Sequence, residues 1–132
     1  ERSGGEIRSL LGRKCRFPLW EPNLFVSSRA LPREEALTEY GPNIRRAYLY
    51  KGLNRLIQSS GADMTKAAMV KIKEELGEVA LIQIHDELAF SVPDAERARE
   101  ICKVMEHSVE MQVPTPADIS LGKNWGELNK IR

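Results

Sequence analysis

The sequence predicts an α+β fold in which an antiparallel sheet, with one prominent apolar hairpin, packs against helices. Strand-like apolar runs occur in adjacent pairs separated by turns, and stretches with apolar residues every three to four positions lie between them. The resulting order is hairpin, two helices, hairpin, helix and strand. Elements in this order are best buried as layers of helices on an antiparallel sheet.

The first hairpin is expected over residues 6–17. Two strand-like runs flank a turn at Gly12 and Arg13, and Pro18 ends the second run. The tip of this hairpin is therefore basic.

Residues 18–42 are expected to form a variable connection rich in loops. Four prolines and Gly41 interrupt any regular pattern in this stretch. Within it, residues 32–39 are compatible with a short helix that has Pro32 at or near its first turn, where proline is tolerated.

A helix is predicted from Asn43, which is a candidate N-cap after a proline. Apolar residues recur at helical spacing at Ile44, Ala47 and Tyr48. Gly52 then predicts a break before the next helix.

The second and longer helix is predicted over residues 55–76, with Asn54 as its cap and Gly77 as its end. Its apolar positions are interrupted by small and polar residues at 59–62, where the glycine costs roughly 1 kcal/mol. Small side chains permit the close approach of another backbone.

The C-terminal half predicts a hairpin, a helix and a strand. Apolar β-type runs at residues 79–84 and 88–92 form the hairpin. A helix follows over residues 95–111, and residues 117–122 read as one more strand.

The net charge of +1 hides an uneven distribution of charge along the chain. Residues 1–73 carry 14 basic and 7 acidic side chains, whereas residues 74–132 carry 6 basic and 12 acidic ones. Either the two halves pack with complementary surfaces, or the basic half binds a polyanion. A phosphate backbone bound there should dissociate readily as salt is raised.

Composition and length indicate an ordinary globular chain of one domain or part of one. Cys15 and Cys102 lie far apart and lack metal-ligand spacing, so reduced thiols are expected and a zinc site is not. No membrane span or signal peptide is indicated, and a cytosolic location is expected. Because the first residue is Glu1 rather than methionine, the sequence is expected to be a piece of a longer chain.

Three ionisable residues, His85, Asp86 and Glu87, lie between the two apolar runs of the second hairpin. A two-residue hairpin turn normally contains glycine, and this one offers none. The carboxylates are either solvated at the hairpin tip or hold a hard divalent cation such as Mg²⁺, which prefers oxygen ligands.

Four motifs resemble those of family A DNA polymerases. Residues 54–66 carry an Asn, a Gln four positions later and a small-small-Ala-Asp run, as in the segment that opens a long palm helix in that family. The sequence Ile-His-Asp-Glu-Leu at 84–88 is similar to the family's third catalytic motif. Residues 11–18 resemble the hairpin that precedes this region, and residues 122–126 resemble the C-terminal Gly-x-x-Trp ending.

These four motifs have the family's order and spacing. They identify residues 1–132 as the C-terminal palm segment of a polymerase of the DNA polymerase I type, a single incomplete domain. The implied activity is template-directed nucleotidyl transfer in DNA replication, with Mg²⁺ as cofactor and two ions in the complete site.

The resemblance implies catalytic roles for three residues of the turn. Asp86 would be a metal ligand, Glu87 would tune the site electrostatically or through water, and His85 would lie near the terminal phosphate of the primer. A structural histidine and a solvated carboxylate are the alternatives for His85 and Glu87.

The resemblance also implies four contacts with DNA. Asn54 and Gln58 would donate hydrogen bonds in the minor groove, whose acceptors are present in every base pair. Arg45 and Arg13 would contact the DNA as well. The alternatives are a helix N-cap for Asn54 and solvated surface charges for the two arginines.

In one place the chain departs from the family pattern. Where many members have an arginine four residues before the Asn, this chain has Tyr50, so a contact there would be weaker or moved to Lys51.

The family's first catalytic aspartate motif and its nucleotide-binding fingers helix do not occur in these residues. The isolated chain is therefore expected to be inactive without an upstream polymerase segment or subunit. Its expected partners are primer–template DNA, dNTP in the complete enzyme and that upstream segment. Self-association is expected as well, through apolar faces that the upstream segment would otherwise cover. No membrane partner is expected.

Two alternatives from other functional classes remain. The first is a module that binds DNA or a polymerase subunit without catalysis. The second, a metal-dependent phosphohydrolase, has less support because His107 is the only other histidine. The expected location is the cytoplasm, in association with the nucleoid. If the protein is viral, the cytoplasm of the host cell is expected instead, and an organelle is a further alternative.

Overall fold

The structure is a computed structural model that describes residues 4–24 and 28–131. Three α-helices and several small antiparallel sheets confirm the α+β class within this described part. The chain divides into two compact units, residues 1–60 and 61–132, and each is described by itself.

The first unit begins with the predicted basic hairpin. Strands β1 (Glu6–Arg8) and β2 (Lys14–Arg16) pair antiparallel, with Ile7 opposite Cys15. Gly12 has a φ of +84°, a left-handed conformation that glycine adopts without steric cost, and this confirms the turn.

Two strands of a three-stranded sheet lie in the region that was predicted to consist of loops. Strand β3 (Leu19–Pro22) is its centre and pairs antiparallel with β4 (Leu31–Pro32) and β5 (Ile44–Arg46). The short helix is confirmed as α1 (Arg33–Tyr40), with Pro32 at its N-cap. Residues 25–27 of the predicted connection lie outside the described part.

The helix predicted from Asn43 is wrong, because residues 44–46 form strand β5. Its Ile44 pairs with Pro22, and Arg46 pairs with Trp20. Three apolar positions are too short a pattern to separate a helix from a strand, and the backbone of β3 supplies the hydrogen-bond partner that decides for a strand.

The long helix is α2 (Gly52–Leu76), preceded by a 3₁₀ turn at Leu49–Lys51. Gly52 does not break the helix, since its backbone is helical with a φ of −57°. Asn54 therefore lies inside the first turn, and its assignment as N-cap is wrong. At the other end, Gly77 has a φ of +74° and donates to the Lys73 carbonyl, which confirms the predicted end.

The second unit contains the predicted apolar hairpin, formed by β6 (Ile82–Ile84) and β7 (Glu87–Ala89). Helix α3 (Ala95–Glu106) follows, and the Asp94 carboxylate caps it by accepting from the Arg97 amide at 2.8 Å.

Helix α3 ends five residues earlier than predicted. The returning chain bonds to its last residue, since the Ala117 amide donates to the Glu106 carboxylate at 2.8 Å. Strand β8 (Ile119–Leu121) confirms the last predicted strand, and it pairs with an unpredicted strand, β9 (Asn129–Ile131).

The core of the second unit forms between α2, α3 and the hairpin. Ala68, Ile72 and Ile101 are buried there, and partly buried residues surround them: Leu76, Leu88, Phe90, Val92, Val104 and Met105. Because Leu88 belongs to β7, this packing fixes the hairpin on the two helices. Across the described residues, no helix is long and apolar enough to cross a membrane.

Candidate functional site

The turn between β6 and β7 carries the three predicted catalytic residues. Ile84 pairs with Glu87, so His85 and Asp86 alone form a two-residue loop. His85 has a φ of +54°, and positive φ at the first loop position is the requirement of a type II′ turn. The histidine thus adopts the backbone conformation for which glycine is usually selected.

Local hydrogen bonds support this strained turn. The Gln83 side-chain amide donates to the His85 carbonyl at 3.0 Å, and the Leu81 amide donates to the Ala89 carbonyl at 2.8 Å. Backbone strain of this kind costs of order 1–3 kcal/mol and persists only where surrounding contacts enforce it.

The side chains of His85, Asp86 and Glu87 are all exposed. Two adjacent carboxylates on a rigid hairpin provide oxygen donors suited to Mg²⁺, which keeps several waters when few protein ligands are present. Within residues 4–24 and 28–131 no group of three or more potential metal ligands occurs. The two carboxylates of this turn fit part of a magnesium site.

The opposite faces of the hairpin have different surroundings. Leu88 contacts the core, whereas Ile82 and Ile84, on the other face, are 42% and 46% exposed. The hairpin therefore has one anchored face and one open apolar face.

In the first unit, Asn54 and Gln58 lie one turn apart near the start of α2, which places them on the same side of the helix. Both side chains are exposed. Their nearest apolar neighbours in the sequence, Leu53 and Ile57, are 70% and 60% exposed. Two amides on an open helix face are available to donate hydrogen bonds to a ligand.

The tip of the basic hairpin contacts α2 just beyond Gln58. Arg13 donates from its guanidinium to the Ser59 carbonyl at 2.8 Å, and the Leu10 amide donates to the Ser60 hydroxyl at 3.0 Å. These contacts explain the small residues in the helix, because larger side chains at 59 and 60 would keep the loop away. Arg13 is thus held at the residue that follows Gln58 in α2.

Arg45 does not lie on a helix but on β5. Its guanidinium forms a cross-strand ion pair with Glu21, its partner in the sheet register, at 2.9 Å. The role of Arg45 as a DNA contact stays a prediction, and any phosphate would have to share this arginine with Glu21.

The position that departs from the family pattern has a defined geometry. The Lys51 ammonium lies 5.0 Å from the centre of the Tyr48 ring and 5.6 Å from that of Tyr50. Tyr50 is 78% exposed, so this turn presents a cation with an aromatic surface.

The predicted residues fall into two groups. Arg13, Asn54 and Gln58 come together around the first half of α2, with Arg45 on the sheet of the same unit, while the acidic turn belongs to the second unit.

Sequence reasoning missed a set of arginines stacked on aromatic rings in the first unit. These are Arg33 and Arg46 on Trp20, and Arg55 on Phe17. The available signal was the presence of two aromatic residues, at 17 and 20, in a strongly basic stretch.

The acidic hairpin turn lies in the second unit, and the exposed amides lie with basic side chains in the first unit. The sequence profile of DNA polymerase family A matches residues 1–127. The chain belongs to this family.

Individual relatives agree with the profile. The chain is 37% identical over 122 residues to a DNA-directed DNA polymerase of Pseudomonas phage M6, an alignment that covers 92% of the chain and 15% of the phage protein. It is 31% identical to DNA polymerase I of Rhizobium leguminosarum over 96% of the chain and 12% of that protein. A third relative, DNA polymerase I of Treponema pallidum, is 41% identical over 58% of the chain and 8% of its own length. The chain thus spans less than a sixth of each.

Proposed function

We propose that this chain is the C-terminal palm segment of a DNA-directed DNA polymerase and carries half of its catalytic site. The observation that carries the proposal is the exposed Asp86 on a strained, core-anchored turn, in a chain that belongs to DNA polymerase family A. The reaction is template-directed nucleotidyl transfer to a primer, with dNTP as the second substrate.

Asp86 would be the metal ligand of this half-site. Magnesium held there would supply the positive charge that a nucleotidyl transfer requires at the reacting oxygens. Asp86 presents an exposed carboxylate at the tip of a hairpin that packs on the core through Leu88. Glu87 adds negative charge next to it, and His85 is available to contact the phosphate at the primer end.

The amides of Asn54 and Gln58 would bind the minor groove of the primer–template duplex. Purine N3 and pyrimidine O2 accept hydrogen bonds at every base pair, so the two amides can contact the duplex without reading its sequence. Arg13, which is held at the Ser59 carbonyl, and Arg45 would contribute to binding the same DNA.

The open apolar face of the hairpin supports the proposal that another segment of the polymerase packs against this chain. Ile82 and Ile84 together expose apolar surface next to the acidic turn. An upstream segment of the polymerase, covalently joined or separate, would cover this face and supply the missing metal ligands. The isolated chain would then be inactive and would self-associate through the same face.

The test is Asp86→Ala in the polymerase assembled with its upstream segment. We expect the variant to lose incorporation of a labelled nucleotide while its affinity for primer–template DNA changes little. Glu96→Ala removes another exposed carboxylate, from the first turn of α3, and should leave incorporation unchanged. Full incorporation by the Asp86 variant would refute the proposed role of this residue.

The inactivity of the isolated chain needs a separate experiment. The purified 132-residue chain is incubated with primer–template, dNTP and Mg²⁺, and primer extension is followed on a gel. Extension by this chain alone would refute the half-site proposal.

A second candidate is a non-catalytic module that binds DNA or another polymerase subunit. The open face at Ile82 and Ile84 favours it, since an apolar face of this kind also fits a partner polypeptide. In that case the Asp86→Ala exchange would cause no catalytic loss in the assembled complex.

A further inference from the structure

Three arginines of the first unit are held by aromatic rings. The guanidinium carbon of Arg46 lies 4.7 Å from the centre of the Trp20 ring, and that of Arg33 lies 5.7 Å from the same ring. Arg55 lies 4.8 Å from the centre of the Phe17 ring. All three distances are within the range of a cation–π interaction.

These contacts form one connected row. Arg46 also donates to the Phe17 carbonyl at 3.0 Å, so it links the Trp20 contact with the Phe17 contact. The row thus runs from Arg33 through Trp20 and Arg46 to Phe17 and Arg55. Its members come from α1, β3, β5, α2 and the end of β2, which is why no local sequence pattern reveals it.

Glycine at position 5 makes room for the central arginine. A Cβ added to Gly5 would lie 2.6 Å from both Cδ and Nε of Arg46, which is closer than side chains approach each other. The guanidinium of Arg46 is therefore confined between the Gly5 backbone and the Trp20 ring. Its position is built into the fold.

None of the three arginines forms an ion pair with a carboxylate within residues 4–24 and 28–131. This distinguishes Arg46 from its neighbour Arg45, which is paired with Glu21. A guanidinium that stacks on a ring through its face keeps N–H donors at its edge. Arg46 uses Nη1 on the Phe17 carbonyl and Arg55 uses Nη1 on the Cys15 sulfur at 3.7 Å, and their remaining donors match the oxygen atoms of a phosphate.

A cleft of about 410 Å³ adjoins the row and is lined by Gly4, Gly5, Glu6, Arg16, Phe17, Pro18 and Arg46. Its one carboxylate, Glu6, lies 3.4 Å from Arg16, 3.4 Å from Arg8 and 3.8 Å from Lys14. The lining itself carries two cations, Arg16 and Arg46, against the one carboxylate of Glu6, which leaves the cleft with an excess of positive charge.

We propose that Arg33, Arg46 and Arg55 form a phosphate-binding track that holds the backbone of a nucleic acid. Three cations held within one set of linked contacts fit a ligand that carries several phosphates better than they fit a single anion. The track deepens the proposed function, since the same DNA would be held there by residues other than Arg13, Arg45, Asn54 and Gln58.

The experiment measures the affinity of the 132-residue chain for a fluorescein-labelled DNA duplex and for its labelled single strand by fluorescence anisotropy, between about 50 and 200 mM salt. Each lost phosphate contact lowers the slope of log Kobs against log salt by about 0.9 for a duplex and about 0.7 for a single strand. We expect Arg33→Gln, Arg46→Gln and Arg55→Gln each to lower the slope by this amount. The probe that binds more tightly identifies the form of DNA on the track.

Two further variants are matched controls. Lys103→Gln removes one positive charge from the exposed surface of α3 and should leave the slope unchanged. Asn54→Ala removes no charge, so it should weaken duplex binding at every salt concentration without changing the slope. A null effect of Asn54→Ala with reduced slopes in the arginine variants would count against the minor-groove role in the proposed function and in favour of the track.

Thermal unfolding of each variant separates binding from folding, because Arg46 also bonds to Phe17. Arg33 lies exposed at the start of α1, so Arg33→Gln should leave the fold intact. This variant therefore still tests the proposal if Arg46→Gln fails to fold. Unchanged slopes in folded Arg33 and Arg55 variants would overturn the proposal. So would a wild-type chain that binds neither probe in a salt-dependent manner.

Discussion

Gly122 and Glu127 approach each other so closely that no side chain fits between them. A Cβ added to Gly122 would overlap the Glu127 carbonyl oxygen and lie 2.7 Å from its carbonyl carbon. This approach folds the chain back through a 3₁₀ turn at Trp125–Glu127, and β9 then pairs with β8. Glycine is therefore required at this position of the Gly-x-x-Trp ending, because only a residue without a side chain lets the chain turn back here.

We expect Gly122→Ala to lower the free energy of unfolding by about 1–3 kcal/mol, the usual cost of forcing a group into occupied space. The contact is with backbone atoms, which cannot rotate away as a side chain would. Urea unfolding followed by circular dichroism measures the change.

The matched control is Gly61→Ala in the middle of α2. Nothing lies within 4 Å of a Cβ added there, so the exchange should stabilise the chain by roughly 0.5–1 kcal/mol through the better helix propensity of alanine. Equal effects of the two exchanges would contradict the steric explanation.

A second prediction concerns the strained backbone at His85. A β-branched residue cannot adopt a φ near +54° without strain, so His85→Val should destabilise the hairpin by about 1–2 kcal/mol. His85→Asn should be nearly neutral, because asparagine tolerates the left-handed region. Urea unfolding of both variants tests this, and a Val variant as stable as the Asn variant would disprove it.

A third prediction concerns the core beneath the hairpin. Ile72 is fully buried on α2, and Ile72→Ala should cost about 2–5 kcal/mol of unfolding free energy through lost burial and the cavity that remains. Val70, two residues earlier on the same helix, is 56% exposed, and Val70→Ala should change stability by no more than about 0.5 kcal/mol. Comparable losses at both positions would show that the core is placed incorrectly.

The sequence predicted those elements whose pattern is local. The hairpin around residues 79–92 is apolar on both strands and is bounded by glycine and proline, so its place follows from a short window. The pair Asn54 and Gln58 likewise needs only the spacing of one helical turn. The turn at His85 and its lack of glycine were visible in the sequence. The structure shows that His85 itself takes the positive φ that glycine would usually take.

Non-local pairing decided the parts that sequence reasoning missed. Residues 44–46 have a pattern compatible with a helix, and only the distant β3 strand makes them a strand. For the same reason, the contact of Trp20 with Arg33 and Arg46 joins residues more than ten positions apart and leaves no periodic signal. The identity of Arg13 as a DNA contact still rests on resemblance, while its position at Ser59 is a structural finding.

The last prediction concerns the Cys102 thiol. Burial raises the pKa of Cys102, and the negative charges of Glu106 and Asp118 raise it further. Because the folded chain disfavours the thiolate, this group adds stability at pH values below its ordinary pKa of 9.0, and that stability is lost as the pH rises above it. The thiolate is the reactive form, so in a Cys15→Ser background Cys102 should react with a disulfide reagent more slowly in the folded chain than in urea at the same pH. Equal rates in the two states, at a pH where the chain is folded, would contradict both the burial and the direction of the pKa shift.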